Sequence, residues 1–323
     1  MRWTGKAILW LVIALLVLAI VGAIYQTIAT ARAERAHPPP GKMIDVGDHR
    51  MHIDCVGQGS PTVVLDTALG AMSASWVRVQ QEVSGTTRVC AYDRAGMGWS
   101  QSGPEPRDAK LVAGELHALL DLLEGAGIDG PYVLVGHSFG GLYMQTYAAR
   151  YPEEVAGVAL IESSHPEQFS RLPEARNSYE QIKLLYTVAS LLAPIGVVRL
   201  FNLSPAPPNC RTSSAQIAAL NPSTRQVSTT AQEFRAPPQS TAQARSLRSL
   251  GDKPLAVVSA GTQSSGWLEL QDDLATISPN SMHRVVKEAT HTSVVYERSD
   301  AQATSAAIVE VVAAVRNDRP LAR

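Results

Sequence analysis

Gly136-His137-Ser138-Phe139-Gly140-Gly141 sets a serine two places after one glycine and two places before another. A serine hydroxyl presented on a sharp turn can attack an acyl carbon if a base takes its proton and N–H donors meet the oxygen that becomes negative. The flanking residues supply such a turn. Pro131 opens the apolar run Tyr132-Val133-Leu134-Val135, the composition of a strand buried on both faces of a parallel sheet. Leu142 to Arg150 carries helix formers, and Tyr151-Pro152 ends it. Strand, turn and helix therefore meet at Ser138, which forces the residues two before and two after it together; glycine at 136 and 140 avoids the clash. The Phe139 amide, at the helix start, then points to where an oxyanion would form.

The elements that would hold this turn alternate between strand and helix patterns from Met43 onward, as an α/β sheet requires. Met43–Val46 and Arg50–Val56 read as a hairpin joined at Gly47-Asp48. Thr62–Asp66 reads as a buried strand, with Thr67-Ala68-Leu69-Gly70 as the loop at its carboxyl end. Arg88–Tyr92 is a further strand, followed by Asp93-Arg94-Ala95-Gly96-Met97-Gly98-Trp99-Ser100, in which Asp93 is expected to pair with Arg94 and hold the loop. Leu111–Leu123 has helical spacing and is closed by Gly125 and Gly127. Cys55, Cys90 and Cys210 do not make a disulfide framework; Cys55 and Cys90 fall in strand-like runs and read as small buried apolar groups. No two cysteines or histidines stand at zinc-ligand spacing, and no metal or cofactor is expected.

The chain has 323 residues, 45% of them hydrophobic, and a net charge of −1. That suits one large α/β domain with an anchor and gives no long-range attraction for nucleic acid. Ala7 to Tyr25 carries no charged or amide side chain, and Gln26–Ala29 extends it, so it is long enough to cross a hydrocarbon core of ~30 Å as a helix, with Trp3, Trp10 and Tyr25 as interfacial aromatics. A cleaved signal peptide is the alternative, because Arg2 and Lys6 precede the apolar run and Ala29-Thr30-Ala31 resembles a cleavage site; the run exceeds the usual length of a signal's apolar region. Residues 1–31 are therefore expected to form a single-pass anchor in a lipid bilayer, 32–42 a linker stiffened by Pro38-Pro39-Pro40, and 43–323 the catalytic domain. A very short N-terminal tail left inside would place that domain outside the cytoplasm, and the domain is expected to fold without the anchor.

Gly136-His137-Ser138-Phe139-Gly140-Gly141 together with Tyr92-Asp93-Arg94-x-Gly96-x-Gly98-x-Ser100 resembles the α/β-hydrolase superfamily, from about Met43 to the C terminus. The resemblance implies an eight-stranded, mostly parallel sheet flanked by helices and a chain order of nucleophile, acid, histidine. The histidine implied is His291, between the strand-like His283–Lys287 and the helical pattern of Asp300–Val315. No carboxylate follows Leu255–Ala260, the commonest position for the acid, but the strand Val155–Ile161 ends in Glu162. Glu162 is the expected acid, with Asp272 or Asp273 as the alternative. The second oxyanion donor is expected from the Ala68 or Leu69 amide, Leu69 being preferred, although Thr67-Ala68 stands where the family usually has His-Gly. A helical lid is expected over about 166–249, with Leu184–Phe201 as two short helices broken at Pro194 and Gly196, and Pro205–Cys210 as loop. The function implied is a serine hydrolase cleaving an ester or related acyl bond of a small, partly apolar substrate. Acyl transfer or carbon–carbon bond hydrolysis by the same triad, or a non-catalytic binding protein on this fold, are the other readings.

Overall fold

Strands apolar at every position can be satisfied only between two layers of helices, and the computed structural model, which describes residues 2–125, 127–204 and 213–321, has that arrangement. Eight strands lie in the order β1-β2-β4-β3-β5-β6-β7-β8. They are β1 (Lys42–Asp45), β2 (Arg50–Val56), β3 (Val63–Asp66), β4 (Val89–Tyr92), β5 (Tyr132–His137), β6 (Val155–Ile161), β7 (Leu255–Ala260) and β8 (Ser281–Val286). The β1–β2 and β2–β4 pairs are antiparallel, and the rest of the ladder is parallel. Odd and even positions of the central strands feed different cores. Leu65, Val135, Ile161 and Val258 lie with Val79 and Val83 of α2 (Val77–Val83) and Ile308, Val311 and Val312 of α13 (Arg298–Asn317). On the other face Val64, Leu134, Leu160 and Val257 lie with α3 (Ala109–Asp121) and α4 (Phe139–Arg150).

Between β6 and β7 the chain folds into helices, over the stretch expected to be a lid. They are α5 (Gln168–Arg171), α6 (Pro173–Leu192), α7 (Val197–Leu200), α8 (Ser214–Leu220), α9 (Thr224–Glu233) and α10 (Pro237–Ala244). The helix before Pro194 is longer than expected, running twenty residues from Pro173, and Gly196 takes the left-handed φ of 76° that breaks it from α7. After β7 come α11 (Ser265–Ala275) and, past β8, α12 (Ser293–Tyr296). Pro205–Cys210 lies outside the described residues.

Two expectations need correction. Cys55 and Cys90 are directly opposed in the β2–β4 register and form a disulfide rather than two separate apolar groups; period-two patterning shows which face a residue takes, not its cross-strand partner. The N-terminal helix α1 (Arg2–Ala36) runs through the stretch expected to begin the linker and ends just before Pro38-Pro39-Pro40, because Ala31, Arg32, Ala33, Glu34, Arg35 and Ala36 are good or tolerable helix formers.

The two halves of α1 have different surroundings. Gly5–Ala36 contains an apolar window of mean hydropathy 3.1 that is not buried in the protein, the one described helix long and apolar enough to cross a membrane. Beyond Tyr25 the helix joins the domain. Gln26 is buried and its Nε2 donates to Pro222 O at 2.8 Å, Arg199 donates to Gln26 Oε1 and Thr30 Oγ1, and Ala33 joins the main core. Trp99 Nε1 then donates to His37 O at 2.8 Å.

Deleting residues 1–18, which are exposed throughout where described, should therefore leave thermal unfolding nearly unchanged, whereas deleting 1–40 removes those contacts and should lower Tm by roughly 5–10 °C. Melting the two truncations side by side checks this; equal Tm values would mean that the second half of α1 contributes nothing to the domain.

Candidate active site

The parallel register brings the carboxyl ends of β3, β5 and β6 to one level, with Asp66 opposite Gly136 and His137 opposite Ile161. Ser138 follows there with φ 55° and ψ −123°. The backbones around it touch. A Cβ on Gly136 would lie 2.4 Å from Gly141 N, and one on Gly140 would lie 2.6 Å from Thr67 O. The expected roles of both glycines are met, and Gly141 adds a third contact, since a Cβ there would lie 2.0 Å from Ser163 Oγ. The Ser138 amide donates to Ile161 O at 3.1 Å, so the turn is held in the sheet until its last residue.

The structure brings Ser138, His291 and Glu162 together in one chain of hydrogen bonds. Ser138 Oγ lies 3.0 Å from His291 Nε2, and His291 Nδ1 lies 3.0 Å from Glu162 Oε2. With Nδ1–H donating to the carboxylate, Nε2 is left as the acceptor for the serine hydroxyl. Glu162 has no exposed surface and φ 45°. Its buried carboxylate accepts from Ala260 N at 2.8 Å, Gln263 Nε2 at 2.8 Å and Trp267 Nε1 at 3.2 Å. The end of β7, the loop after it and the first turn of α11 thus supply donors in place of a carboxylate. Gln263 and Trp267 were not singled out as site residues from sequence; their position just after β7 was the available signal. The alternative acids are engaged elsewhere, Asp272 with His283 Nδ1 at 2.7 Å and Asp273 with Arg171.

Phe139 opens α4, so its N–H has no carbonyl one turn earlier within the helix. In the facing loop the Thr67 amide donates to Asp66 Oδ1, the Gly70 amide to Glu233 Oε2 and the Ala71 amide to Ala68 O. The N–H groups of Ala68 and Leu69 remain, and both residues line the same cleft as Ser138. This loop is fixed by a buried ion cluster. Arg94 donates to the carbonyls of Thr67 and Ala68, each at 2.9 Å, and to the carboxylates of Asp66 at 2.5 Å and Glu233 at 2.6 Å. Burial pushes the Asp66 carboxyl up against the pull of Arg94, and the guanidinium stays charged between two carboxylates.

Asp93 is not the partner of Arg94, as the sequence suggested. It accepts from His52 Nδ1 at 2.9 Å and from Ser73 N at 2.6 Å, because neighbouring residues at a strand end face opposite sides. Glu233 carries no sequence signal of its role, since its partner is 139 residues away.

The cleft over Ser138 has a volume of about 470 Å³ and is floored by Ser138, His291, Leu69 and Phe139, with Tyr179 and Ile182 of α6 and Trp267 of α11 on its walls. A larger groove of about 760 Å³ lies elsewhere, among Val155, Pro254, Asn280 and Leu321, and none of the Ser138, His291 or Glu162 side chains lines it.

Sheet order, elbow and helical insertion together define an α/β hydrolase. The chain belongs to the alpha/beta hydrolase fold family, whose profile matches residues 61–297. It is 33% identical over 125 residues, 38% of this chain and 44% of the other, to a 2-hydroxy-6-oxo-2,4-heptadienoate hydrolase of Pseudomonas putida. It is 31% identical over 116 residues, 35% of each chain, to an AB hydrolase superfamily protein of Gibberella zeae. Several other curated relatives are far longer, the matched stretches spanning 15% to 22% of their length. The enol-lactonase of Burkholderia xenovorans superposes with a TM-score of 0.61 at 18% identity, covering 84% of this chain and all of that one.

His137 is buried in the packing beneath the elbow, and its Nε2–H donates to His291 O at 2.8 Å. Burial lowers its pKa to about 3, with the neighbouring His291 contributing. The folded protein keeps this ring neutral while the unfolded chain protonates it below about pH 6.5, so stability is lost as pH falls from 6.5 towards 3. Between pH 7 and 5 this one ring should cost about 2 kcal/mol. Denaturant unfolding at pH 7 and pH 5 should show that His137→Gln loses less stability on acidification than wild type by about that amount; equal losses would mean that the ring is not held neutral.

Proposed function

We propose that the protein is a serine hydrolase that cleaves an ester or related acyl bond through an acyl-enzyme, anchored to a membrane by α1. The observation that carries this reading is the unbroken chain from Ser138 Oγ through His291 to the buried Glu162, ending in a cleft with free backbone donors. Ser138 Oγ attacks the acyl carbonyl while His291 Nε2 takes its proton. The carbonyl oxygen becomes negative and is met by the Phe139 N–H and by that of Leu69 or Ala68. Glu162 holds the imidazole in the tautomer that accepts at Nε2 and stabilises the imidazolium. His291 returns the proton to the leaving oxygen, and a water molecule, deprotonated by the same ring, releases the acid and restores the serine.

Carbon–carbon bond hydrolysis by the same residues is a second reading, favoured by the likeness to the Pseudomonas putida dienoate hydrolase. The partly apolar cleft suits a substrate with an apolar part. The Cys55–Cys90 disulfide favours a domain outside the cytoplasm, where thiols are not kept reduced.

Ser138→Ala should abolish labelling by a fluorophosphonate probe and lower ester turnover by ~10⁴-fold or more, and His291→Ala should cost about as much, because the two act as one unit. Glu162→Gln keeps the side chain's size and removes its charge, and should cost ~10²–10⁴-fold, while Asp272→Asn and Asp273→Asn stay near wild type. Wild-type protein that neither reacts with the probe nor turns over esters would make this a binding protein on a hydrolase fold. A severe Asp272 or Asp273 variant beside a silent Glu162→Gln would move the acid to α11.

A further inference from the structure

Among the described residues outside α1, every large apolar side chain that is exposed, apart from Leu122 and Val285, lies between Ile182 and Leu203. Leu184, Leu185, Val188 and Leu191 recur at helical spacing along the second half of α6 and are 46–74% exposed; Leu200 and Phe201 follow at 66% and 65%. Leaving so many large apolar groups together in water is unusual for a soluble surface and marks a site of interaction.

The position of this patch relative to α1 says what covers it. The turn between α6 and α7 sits directly on the α1 backbone. A Cβ on Gly22 would lie 2.2 Å from Ile195 O, and one on Gly196 would lie 3.0 Å from Gly22 O. Gly22 belongs to the apolar stretch of α1 and lies three residues before Tyr25, about 4–5 Å along the helix axis. The polar ties between lid and helix, from Arg199 to Gln26 and Thr30, all fall on the other side of Tyr25. If α1 spans a bilayer, the lid tip is therefore fixed where hydrocarbon gives way to headgroups, the depth at which an amphipathic helix rests.

The same helix leads to the nucleophile. Ala175, Ser178, Tyr179 and Ile182 of α6 line the Ser138 cleft, and Leu185 lies one turn beyond Ile182 on the exposed stripe. Ile182 on the cleft wall and Leu185 on the exposed stripe are thus neighbours on α6.

We propose that the lid segment from Leu184 to Phe201 is seated in the bilayer interface beside α1, and that the substrate is a membrane-resident acyl lipid whose chain passes from the bilayer along α6 to Ser138. This rests on the reading of Ser138 as nucleophile and α1 as anchor. It adds the substrate's class and its route of entry.

The test uses the full chain in phosphatidylcholine vesicles with two substrates, water-soluble p-nitrophenyl butyrate and 4-methylumbelliferyl oleate dissolved in the vesicles. The double variant Leu191→Glu/Leu200→Glu should lower oleate turnover by ~10-fold or more and leave butyrate turnover within about two-fold, because the charges lift the lid tip without touching the cleft. Oleate turnover equal to wild type would overturn the proposal. If both activities fell together, Leu191→Ser/Leu200→Ser would take the place of the first variant under the same criterion. Wild-type protein inactive on both esters would sink the hydrolase reading instead, and docking is then judged without activity. For that, an environment-sensitive fluorophore is attached at Leu191→Cys, with Cys210→Ser removing the other thiol outside the disulfide. Quenching by nitroxide lipids but not by aqueous iodide supports docking. Quenching by iodide, or protection from both because protein covers the patch, overturns it.

Discussion

A serine held at φ 55° and ψ −123° is a backbone conformation that costs of order 1–3 kcal/mol and persists only where the surroundings leave no alternative. Here the surroundings are other backbones. Gly136, Gly140 and Gly141 bring β5, the start of α4, the loop after β3 and Ser163 to distances that no Cβ would tolerate. Two further bonds pin the turn: Ser138 N donates to Ile161 O, and Ser164 N donates to Ser138 O. The elbow is thus a junction of three strand ends, and the position of every other group in the site is measured from it. Because β3, β5 and β6 are in register at their carboxyl ends, the loop after β3, the serine and Glu162 emerge at one height without any long-range device to align them.

Side-chain identity alone would not single out this site. Ser259, His283 and Asp272 form a second Ser–His–Asp chain, each link 2.7 Å long. Ser259 lies within β7 with no exposed surface, with no turn to present its hydroxyl and no helix start to offer an amide. That chain ties α11 to the sheet. What separates Ser138 from it is the strained turn, the adjoining cleft and the N–H groups of Phe139, Ala68 and Leu69. The contrast also accounts for Asp272, a carboxylate of the right type near the end of the chain that is committed to another histidine.

Much of this architecture was legible in the residues. Val155–Ile161 and Leu255–Ala260 are strands at the bounds read from their apolar runs, because a strand enclosed on both faces must be apolar at each position. The turn at Ser138 was legible because steric exclusion leaves glycine as the only choice. What escaped depends on partners distant in sequence. The Cys55–Cys90 pairing is set by cross-strand register, the tie between Arg94 and Glu233 spans 139 residues, and the second half of α1 joins the domain through Gln26, an ordinary polar residue at the end of an apolar run. No local pattern encodes these contacts. Glu162 lies between the two cases. A carboxylate at a strand end is visible, but that it can stay buried depends on Ala260, Gln263 and Trp267 from the next crossover.

The helices between β6 and β7 connect the two ends of the molecule. On α9, Glu233 takes the Gly70 amide and the Arg94 guanidinium, while Gln226 donates to Gly70 O and accepts from Gly98 N. The loop that offers the Ala68 and Leu69 amides therefore borrows its shape from the lid. α6 packs against α9, where Tyr179 donates to Phe234 O, and α6 ends at the turn seated on Gly22 of α1. Removing one partner from a buried charged cluster leaves the others unpaired in a low dielectric and costs several kcal/mol, so α9 does not leave the loop after β3 without disturbing it. A lid tied in this way cannot swing clear as a free flap. The cleft over Ser138 is bounded by α6, while α9 holds the loop after β3 from the other side of the lid.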